Sequence, residues 1–407
     1  MGAAKRFAET FKDKAAERAF LRAVSSIAAG KLTLTLPSGE RREFAGAAPG
    51  PEAELRVHAD RFYAKVLIGG EIGFGEAYQE ELCDSPDAVA LIKLAVVNRR
   101  AVNFNKGPLR LVSKVANRRL HLGRRNTVDQ AKHNIHAHYD LGNAFFRLWL
   151  DETMTYSSAL YSSPGEQLAD AQRNKYRALC ELADIQASDH VLEIGSGWGG
   201  FAVFAAQEFG CKVRSITISE EQHRLASERV AEAGLSDRVT IALEDYRDIT
   251  GQFDKIVSIE MFEAVGAEYF EAFFHACARA LAPNGRLAMQ VITVPERDFP
   301  AQRDGVNWIQ KYIFPGGVLP SLAEMERTSN AAGLVVTSAT DIGAHYARTL
   351  REWRERFWAA IDEVRAAGYD ERFVRTWDYY LALCEAGFAT RNTGDVQVLF
   401  ERPGAAP

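Results

Sequence analysis

The residues with most chemistry to offer sit close together in Val191-Leu-Glu-Ile-Gly-Ser-Gly-Trp-Gly-Gly200. A short apolar run ends in a turn containing Gly195, Gly197, Gly199 and Gly200, and an alanine-rich segment follows from Phe201 to Phe209. That pattern reads as strand, tight turn and helix. Glycine is required where the backbone takes positive φ or lies against a ligand. The helix that follows aims its free N–H groups and positive dipole end at the turn. The stretch is therefore a nucleotide-binding turn. Gly195, Gly197 and Gly200 satisfy the dinucleotide spacing G-x-G-x-x-G. Two features favour S-adenosylmethionine instead: Glu193, whose carboxylate can reach the amino group of the methionine part, and the additional Gly199.

The elements that must position this turn are legible on both sides of it. From Val191 onward, strand candidates at 191–194, 212–217, 238–243, 254–259, 285–292, 334–339 and 396–400 alternate with helices such as Glu220–Ala233 and Ala267–Leu281. This is the pattern of an α/β doubly wound sheet. Ligands in such sheets bind beyond the carboxyl ends of the strands. Thr217 to Gln222, Glu244 to Arg247 and Glu260 to Glu263 lie there. A helix over 167–183 leads into the glycine turn. Two insertions, 294–330 and 341–394, are rich in aromatic residues. They form core, or line a tunnel for a long apolar substrate.

Upstream, a helix over 5–29 and strands at 31–36, 41–45 and 53–58 predict a small N-terminal α+β domain, with a break at Ala48-Pro-Gly-Pro51 and a tight loop in the glycine run 69–75. We divide the chain into an N-terminal domain at 1–120 and a cofactor domain at 121–407. Ten Lys and Arg residues fall between Lys93 and Arg125 with no acid among them, and apolar residues interleave. In a chain of net charge −5, such a stretch meets an anionic membrane surface, at about 1 kcal/mol per basic residue, or is a solvated linker. Nucleic acid ranks last. His133, His136 and His138 lack the spacing of a metal site. No apolar run reaches the roughly 18 residues of a membrane span, and there is no signal-peptide core. The five cysteines are scattered without C-x-x-C pairs, which fits a reducing compartment. The expectation is a cytoplasmic protein, peripheral at the inner membrane face.

Six motifs in order carry a family resemblance: His138-Tyr-Asp-Leu-Gly-Asn143, Met154-Thr-Tyr-Ser-Ser158, Leu192-Glu-Ile-Gly-Ser-Gly-Trp-Gly199, Thr217-Ile-Ser-Glu-Glu-Gln222, Ser258-Ile-Glu-Met-Phe-Glu-Ala-Val-Gly266 and His345-Tyr-Ala-Arg-Thr-Leu350. Together the sequence resembles the cyclopropane-fatty-acid synthases, including the mycolic acid cyclopropane synthases, over about residues 56–407. The resemblance implies a class I, Rossmann-like methyltransferase fold. It implies methyl transfer from S-adenosylmethionine to a cis double bond of a phospholipid acyl chain, through a carbocation that then loses a proton. By position, Tyr156, Ser157, Glu193, Gly195, Gly197, Gly199, Thr217 and Gln222 contact the cofactor, with Tyr246 and Arg247 near the adenine.

In that family a bicarbonate serves as base, held by a Cys, a Glu, a His, a backbone amide and a Tyr. The corresponding positions are Ser158, Glu263, Gln290, Ile292 and Tyr346. Ser158 and Gln290 depart from the pattern but can still donate to an oxyanion. Glu260, where several relatives have Gly, adds a second carboxylate. If the proton leaves the new methyl a cyclopropane forms; if it leaves the chain, the product is a methyl-branched alkene, as in a step of furan fatty acid synthesis. The rivals are a methyltransferase of the same fold with a small soluble substrate, and a non-catalytic lipid-binding protein. Family members are often dimers, so the resemblance also implies a homodimer.

Overall fold

A computed structural model of the protein describes residues 2–102 and 142–404, with side chains from residue 13 onward. Most of the basic stretch, from Lys106 to Arg125, and His133, His136 and His138 lie outside the described residues. Two compact units emerge. One takes the described part of Met1–Leu122 with Gly305–Ile313 and Asp362–Asn392; the other takes that of Gly123–Asp304, with Phe314–Ile361 and Thr393–Pro407.

In the first unit, helix α1 (Gly2–Val24) precedes strands β1 (Ala29–Thr35), β2 (Arg41–Ala45) and β3 (Ala48–Val57), helix α2 (Arg61–Gln79), strand β4 (Cys83–Asp84) and helix α3 (Ala88–Val97). The sheet order is β2-β1-β3-β4. Alternation in β1 buries Leu32 and Leu34 on one face, as a period of two requires. Two local expectations fail here. β3 begins at Ala48 rather than after Pro51, because the register shifts between Ala29 and Lys31, and such an irregularity accommodates the prolines. The glycine run is helix, not loop: α2 continues to Gln79 with one break, at Gly70 (φ 57°, ψ −131°).

Those glycines serve packing. A Cβ on Gly75 would lie 2.4 Å from Trp308 Cδ1 and 2.8 Å from Tyr379 Cε1. Tyr379, on the helix Glu371–Ala389, packs 4.8 Å from the Trp308 ring and 5.4 Å from that of Tyr78. Trp377, Tyr379, Tyr380 and Phe388 are all buried in this unit. The late aromatic segment is thus, in this helix, core.

In the second unit, all seven expected strands are present: β5 (His190–Ile194), β6 (Lys212–Thr217), β7 (Val239–Leu243), β8 (Phe253–Ile259), β9 (Leu281–Thr293), β10 (Val335–Asp341) and β11 (Gly394–Glu401). The order is β10-β11-β9-β8-β5-β6-β7. β5 to β9 are parallel, and β11 runs antiparallel to both β9 and β10. Helices α4 (Leu168–Ala183), α5 (Gly200–Phe209), α6 (Glu220–Glu232), α7 (Phe270–Ala280) and α8 (Gly343–Ala359) belong to this unit. Leu192, Ile256 and Leu287 meet the phenylalanines of α7 in one core, while Val191, Val257 and Ala288 meet α4 and α5 in another. Strands buried on both faces read as continuous apolar runs, which is why they were legible.

Gly75 and Gly69 separate packing from chain entropy. Gly75→Ala should lower stability by about 1–3 kcal/mol through overpacking. Gly69→Ala, with no described atom within 4 Å of its Cβ position and no positive φ, should be neutral or raise stability by up to about 1 kcal/mol. Denaturant unfolding of the two variants checks this; an unchanged midpoint for Gly75→Ala would refute the packing account.

Candidate active site

The glycine turn is built as its residue types require. Gly195, Gly197 and Gly199 have φ of 99°, 48° and 82°, a region that side-chain-bearing residues enter at a cost of about 1–2 kcal/mol. Gly199 caps α5, and a Cβ there would press on Ala226 of α6. At Gly197 a Cβ would meet nothing within 4 Å, so the turn presents bare backbone beside the start of a helix. The Gly195 and Ser196 amides both donate to Ile216 O. This cradle fits a nucleotide cofactor.

The other expected cofactor residues have these partners. Thr217 Oγ1 donates to Gln222 Oε1 at 2.9 Å, and Ser219 caps α6. Glu193 accepts from Ser215 Oγ, whose oxygen lies 2.7 Å from Ser196 Oγ. Burial pushes the Glu193 carboxyl up to about 8, against the pull of Ser215 and Lys175. Ser157 is held through its carbonyl by Gln172 Nε2 (2.9 Å) and through its hydroxyl by Lys175 Nζ, both from α4. Tyr156 packs among Phe146, Trp149 and Trp353, with ring centroids 5.3–5.6 Å apart. Arg247 grips Asp245 through two 2.8 Å contacts, and Tyr246 packs on Phe273. Asn143, unremarked as a contact in the sequence, accepts from Trp198 Nε1 at 2.7 Å.

The second cluster begins where β8 ends. Glu260 N donates to Gln290 O at 2.8 Å, and the chain then turns at Glu260 with φ 46°. Three donors converge on the Glu260 carboxylate: Ser158 N–H at 2.8 Å and Gln290 Nε2 at 2.8 Å on Oε1, and Tyr346 O–H at 2.7 Å on Oε2. The Ile292 amide donates to Glu263 Oε1, while Glu263 Oε2 is buried without a partner among the described residues. Burial, then the neighbouring Glu260 charge, pushes Glu263 up to about 8. Burial also raises Glu260, opposed first by Lys175 and then by its hydrogen bonds.

The strand register explains who meets whom. In the β9–β11 ladder Gln290 pairs with Gln397 and Ile292 with Asp395. Gln397 Nε2 donates to Gln290 Oε1 at 3.2 Å, which fixes the Gln290 amide so that its N–H₂ faces Glu260 and, at 3.2 Å, Asp395 Oδ2. Asp395 is fully buried and its other oxygen lacks a partner among the described residues. Burial, followed by the charges of Glu260 and Glu263, raises its carboxyl well above the usual range. Lys175 Nζ is buried nearby, pushed down to about 8 by desolvation. Neither Asp395 nor Lys175 was singled out from the sequence. The signal for Asp395 was a polar residue alternating with Val396 and Val398 in an otherwise apolar strand.

The residues expected to cradle a bicarbonate meet the following partners. Ser158, Gln290 and Tyr346 all donate to Glu260, and the Ile292 amide to Glu263. Ser158 Oγ donates to the Ala159 carbonyl. These donors are thus engaged by carboxyl groups of the chain itself, Glu260 and Glu263. No cluster of His, Cys, Asp and Glu able to hold a metal ion occurs among the described residues.

Comparison with known proteins agrees with this architecture. Residues 126–398 match the family model for mycolic acid cyclopropane synthetase. Tuberculostearic acid methyltransferase UfaA1 of Mycobacterium tuberculosis is 41% identical, over 84% of this chain and 82% of its own. Cyclopropane-fatty-acyl-phospholipid synthase of Escherichia coli K12 is 37% identical, over 88% of this chain and 89% of its own. The mycolic acid cyclopropane synthase CmaA1, solved with S-adenosylhomocysteine and CTAB, superimposes with a TM-score of 0.62 at 29% identity, covering 67% of this chain and 98% of that one. The chain belongs to the mycolic acid cyclopropane synthetase family of S-adenosylmethionine-dependent methyltransferases.

Proposed function

We propose that this enzyme transfers the methyl of S-adenosylmethionine to a cis double bond in the acyl chain of an unsaturated phospholipid, giving a cyclopropane. The observation that carries the reading is the placement of a buried carboxylate cluster beside the glycine turn. Ser258 Oγ donates to Ile194 O at 3.0 Å, and a Cβ on Gly195 would lie 2.9 Å from Met261 Cγ, one residue past Glu260. Bound in that turn, S-adenosylmethionine supplies an electrophilic methyl. The chain's residues must then shelter a cation and remove one proton. Aromatic faces stabilise a cation without reacting with it, and Tyr156, Trp353 and Tyr346 stand in one packed group. Trp353 and Tyr346 lie on α8, the half of the late aromatic segment that does reach this site.

Glu193, Gly195, Gly197, Gly199, Thr217, Gln222, Tyr156 and Ser157 hold the cofactor in this reading, with Tyr246 and Arg247 toward its adenine. The basic composition of residues 93–125 supports work at an anionic membrane surface. No helix among the described residues is long and apolar enough to cross a membrane. One observation favours a second reading, a methyl-branched product: a relative is named a tuberculostearic acid methyltransferase.

Supplying methyl-CD₃ S-adenosylmethionine with vesicles of unsaturated anionic phospholipid separates the two products. Two deuteriums retained and no double bond is the expected outcome and means ring closure. Three retained with the double bond present means a methyl branch. No label in lipid would reject the acyl-chain reading in favour of a small soluble acceptor.

The Glu193 carboxyl, raised to about 8, is mostly protonated at neutral pH, while a cofactor ammonium beside it favours the ionised form. Affinity for S-adenosylmethionine should therefore rise with pH up to about 8, with up to one proton released per site bound. Calorimetry in buffers of different ionisation enthalpy reads that proton, and Glu193→Gln should abolish it. Equal proton release in both proteins would remove Glu193 from the amino-group role.

A further inference from the structure

We infer that Glu260 is the base of this reaction, a resident carboxylate occupying the place of a bound bicarbonate, and that Asp395 positions it through the shared amide of Gln290. The inference rests on the acyl-chain reading above and says which atom takes the proton. Three features of the geometry support it.

The first is convergence. Ser158, Gln290 and Tyr346 come from a loop, a strand and a helix distant in sequence, and their donors end on one carboxylate within 2.7–2.8 Å. A set of donors arranged for an oxyanion is already satisfied by an oxyanion of the chain itself. The second is backbone strain. Glu260 holds φ 46°, where glycine would sit without penalty. A glutamate kept in that region points to a use for its side chain. The third is support. Gln397 fixes the Gln290 amide, and the same amide nitrogen serves both Glu260 and Asp395. That arrangement ties Glu260 to Asp395, which is fully buried.

The π pair of the double bond forms the new bond to the methyl carbon while that carbon's bond to sulfur breaks, and sulfur keeps the pair as the neutral thioether of S-adenosylhomocysteine. Positive charge passes to the chain. The Glu260 carboxylate removes a proton from the added methyl, the C–H pair closes the three-membered ring, and Glu260 ends as a carboxylic acid. If the proton is taken from the chain instead, the same pair forms a double bond and Glu260 is protonated all the same. The titratable groups facing Glu260 are Lys175 from α4, Glu263 after β8 and Asp395 from β11, with the Tyr346 hydroxyl from α8.

The test measures bicarbonate binding and turnover on the full chain. ¹³C-bicarbonate is titrated by NMR into protein saturated with S-adenosylhomocysteine, and methyl transfer to unsaturated phospholipid vesicles is followed in CO₂-depleted buffer. Wild type should show no specific bicarbonate binding, and adding the anion should leave its rate unchanged. Glu260→Gln should lose about 10²-fold or more in kcat, with KM for vesicles and affinity for S-adenosylmethionine little changed. Glu260→Gly frees the three donors and should gain bicarbonate binding, together with a bicarbonate-dependent rate. Asp395→Asn alters the group that shares the Gln290 amide with Glu260, so the acid limb of the kcat profile should shift while KM for vesicles and affinity for S-adenosylmethionine stay unchanged, which loss of packing alone would not produce. Saturable bicarbonate binding to wild type, or Glu260→Gln retaining full turnover, would overturn the inference. If wild type transfers no label to lipid, the substrate reading fails, yet the contrast in bicarbonate binding between wild type and Glu260→Gly still decides which anion fills the cradle.

Discussion

The rest of the cofactor unit depends on holding one carboxyl group, that of Glu260, in a place with little water, where burial raises it and Lys175 and its hydrogen-bond donors oppose that rise. An ionised group taken out of water costs several kcal/mol unless hydrogen bonds and an opposite charge offset it. Here the offset comes from an amide, a side-chain amide and a phenol on three separate elements, with the buried Lys175 ammonium opposing the desolvation. None of the three donors reaches Glu260 unless β8, β9 and α8 are all in place. The site is therefore a test of the whole sheet: a slip of one residue in the β9–β11 register would turn Gln397 away from Gln290 and free the amide that Glu260 needs.

The same dependence explains the buried polar residues on β11. A strand flanked by two neighbours reads most cheaply as unbroken apolar residues. Asp395 and Gln397 interrupt β11 on one face, and both end in the Gln290 network. An unpaired buried polar atom is costly, so Asp395 Oδ1 and Glu263 Oε2, both lacking partners among the described residues, mark where stability gives way to function. These acids relieve the cost by taking a proton more readily than in water, as burial dictates for carboxyls.

How much of this was readable in the chain follows from the range of each interaction. The seven strands and the glycine turn rest on local patterns, a run of apolar residues and a spacing of glycines, so they stood out. Gly69 to Gly75 misled because glycine signals both turns and tight packing, and only Trp308, more than 200 residues away, shows which applies. The donor set Ser158, Gln290, Ile292 and Tyr346 was legible through resemblance, as positions. Their target was not, since it follows from a left-handed backbone at Glu260 and from a ladder pairing between β9 and β11. Lys175 is hidden for a related reason: a lysine on an amphipathic helix reads as a solvated residue, and full burial appears only when α4 packs on the sheet.

A tethered base and a bound anion differ in what each asks of the protein. A diffusible bicarbonate must be captured from solution at each loss, and its affinity has to outrun its release. A glutamate on the chain has no such binding step, and its effective concentration at the reacting carbon is set by geometry alone. Its cost is permanent: about 1–2 kcal/mol of backbone strain for a side chain at positive φ, and burial beside two further carboxyl groups, Glu263 and Asp395. That burden suits the reaction. Positive charge enters with the sulfonium, moves to the acyl chain and leaves only when a proton does, so buried carboxyl groups able to ionise beside it favour the cationic stage. Charge development in a pre-arranged field is stabilised without reorganisation at the moment of reaction, and the field here is arranged by strand register before any substrate arrives.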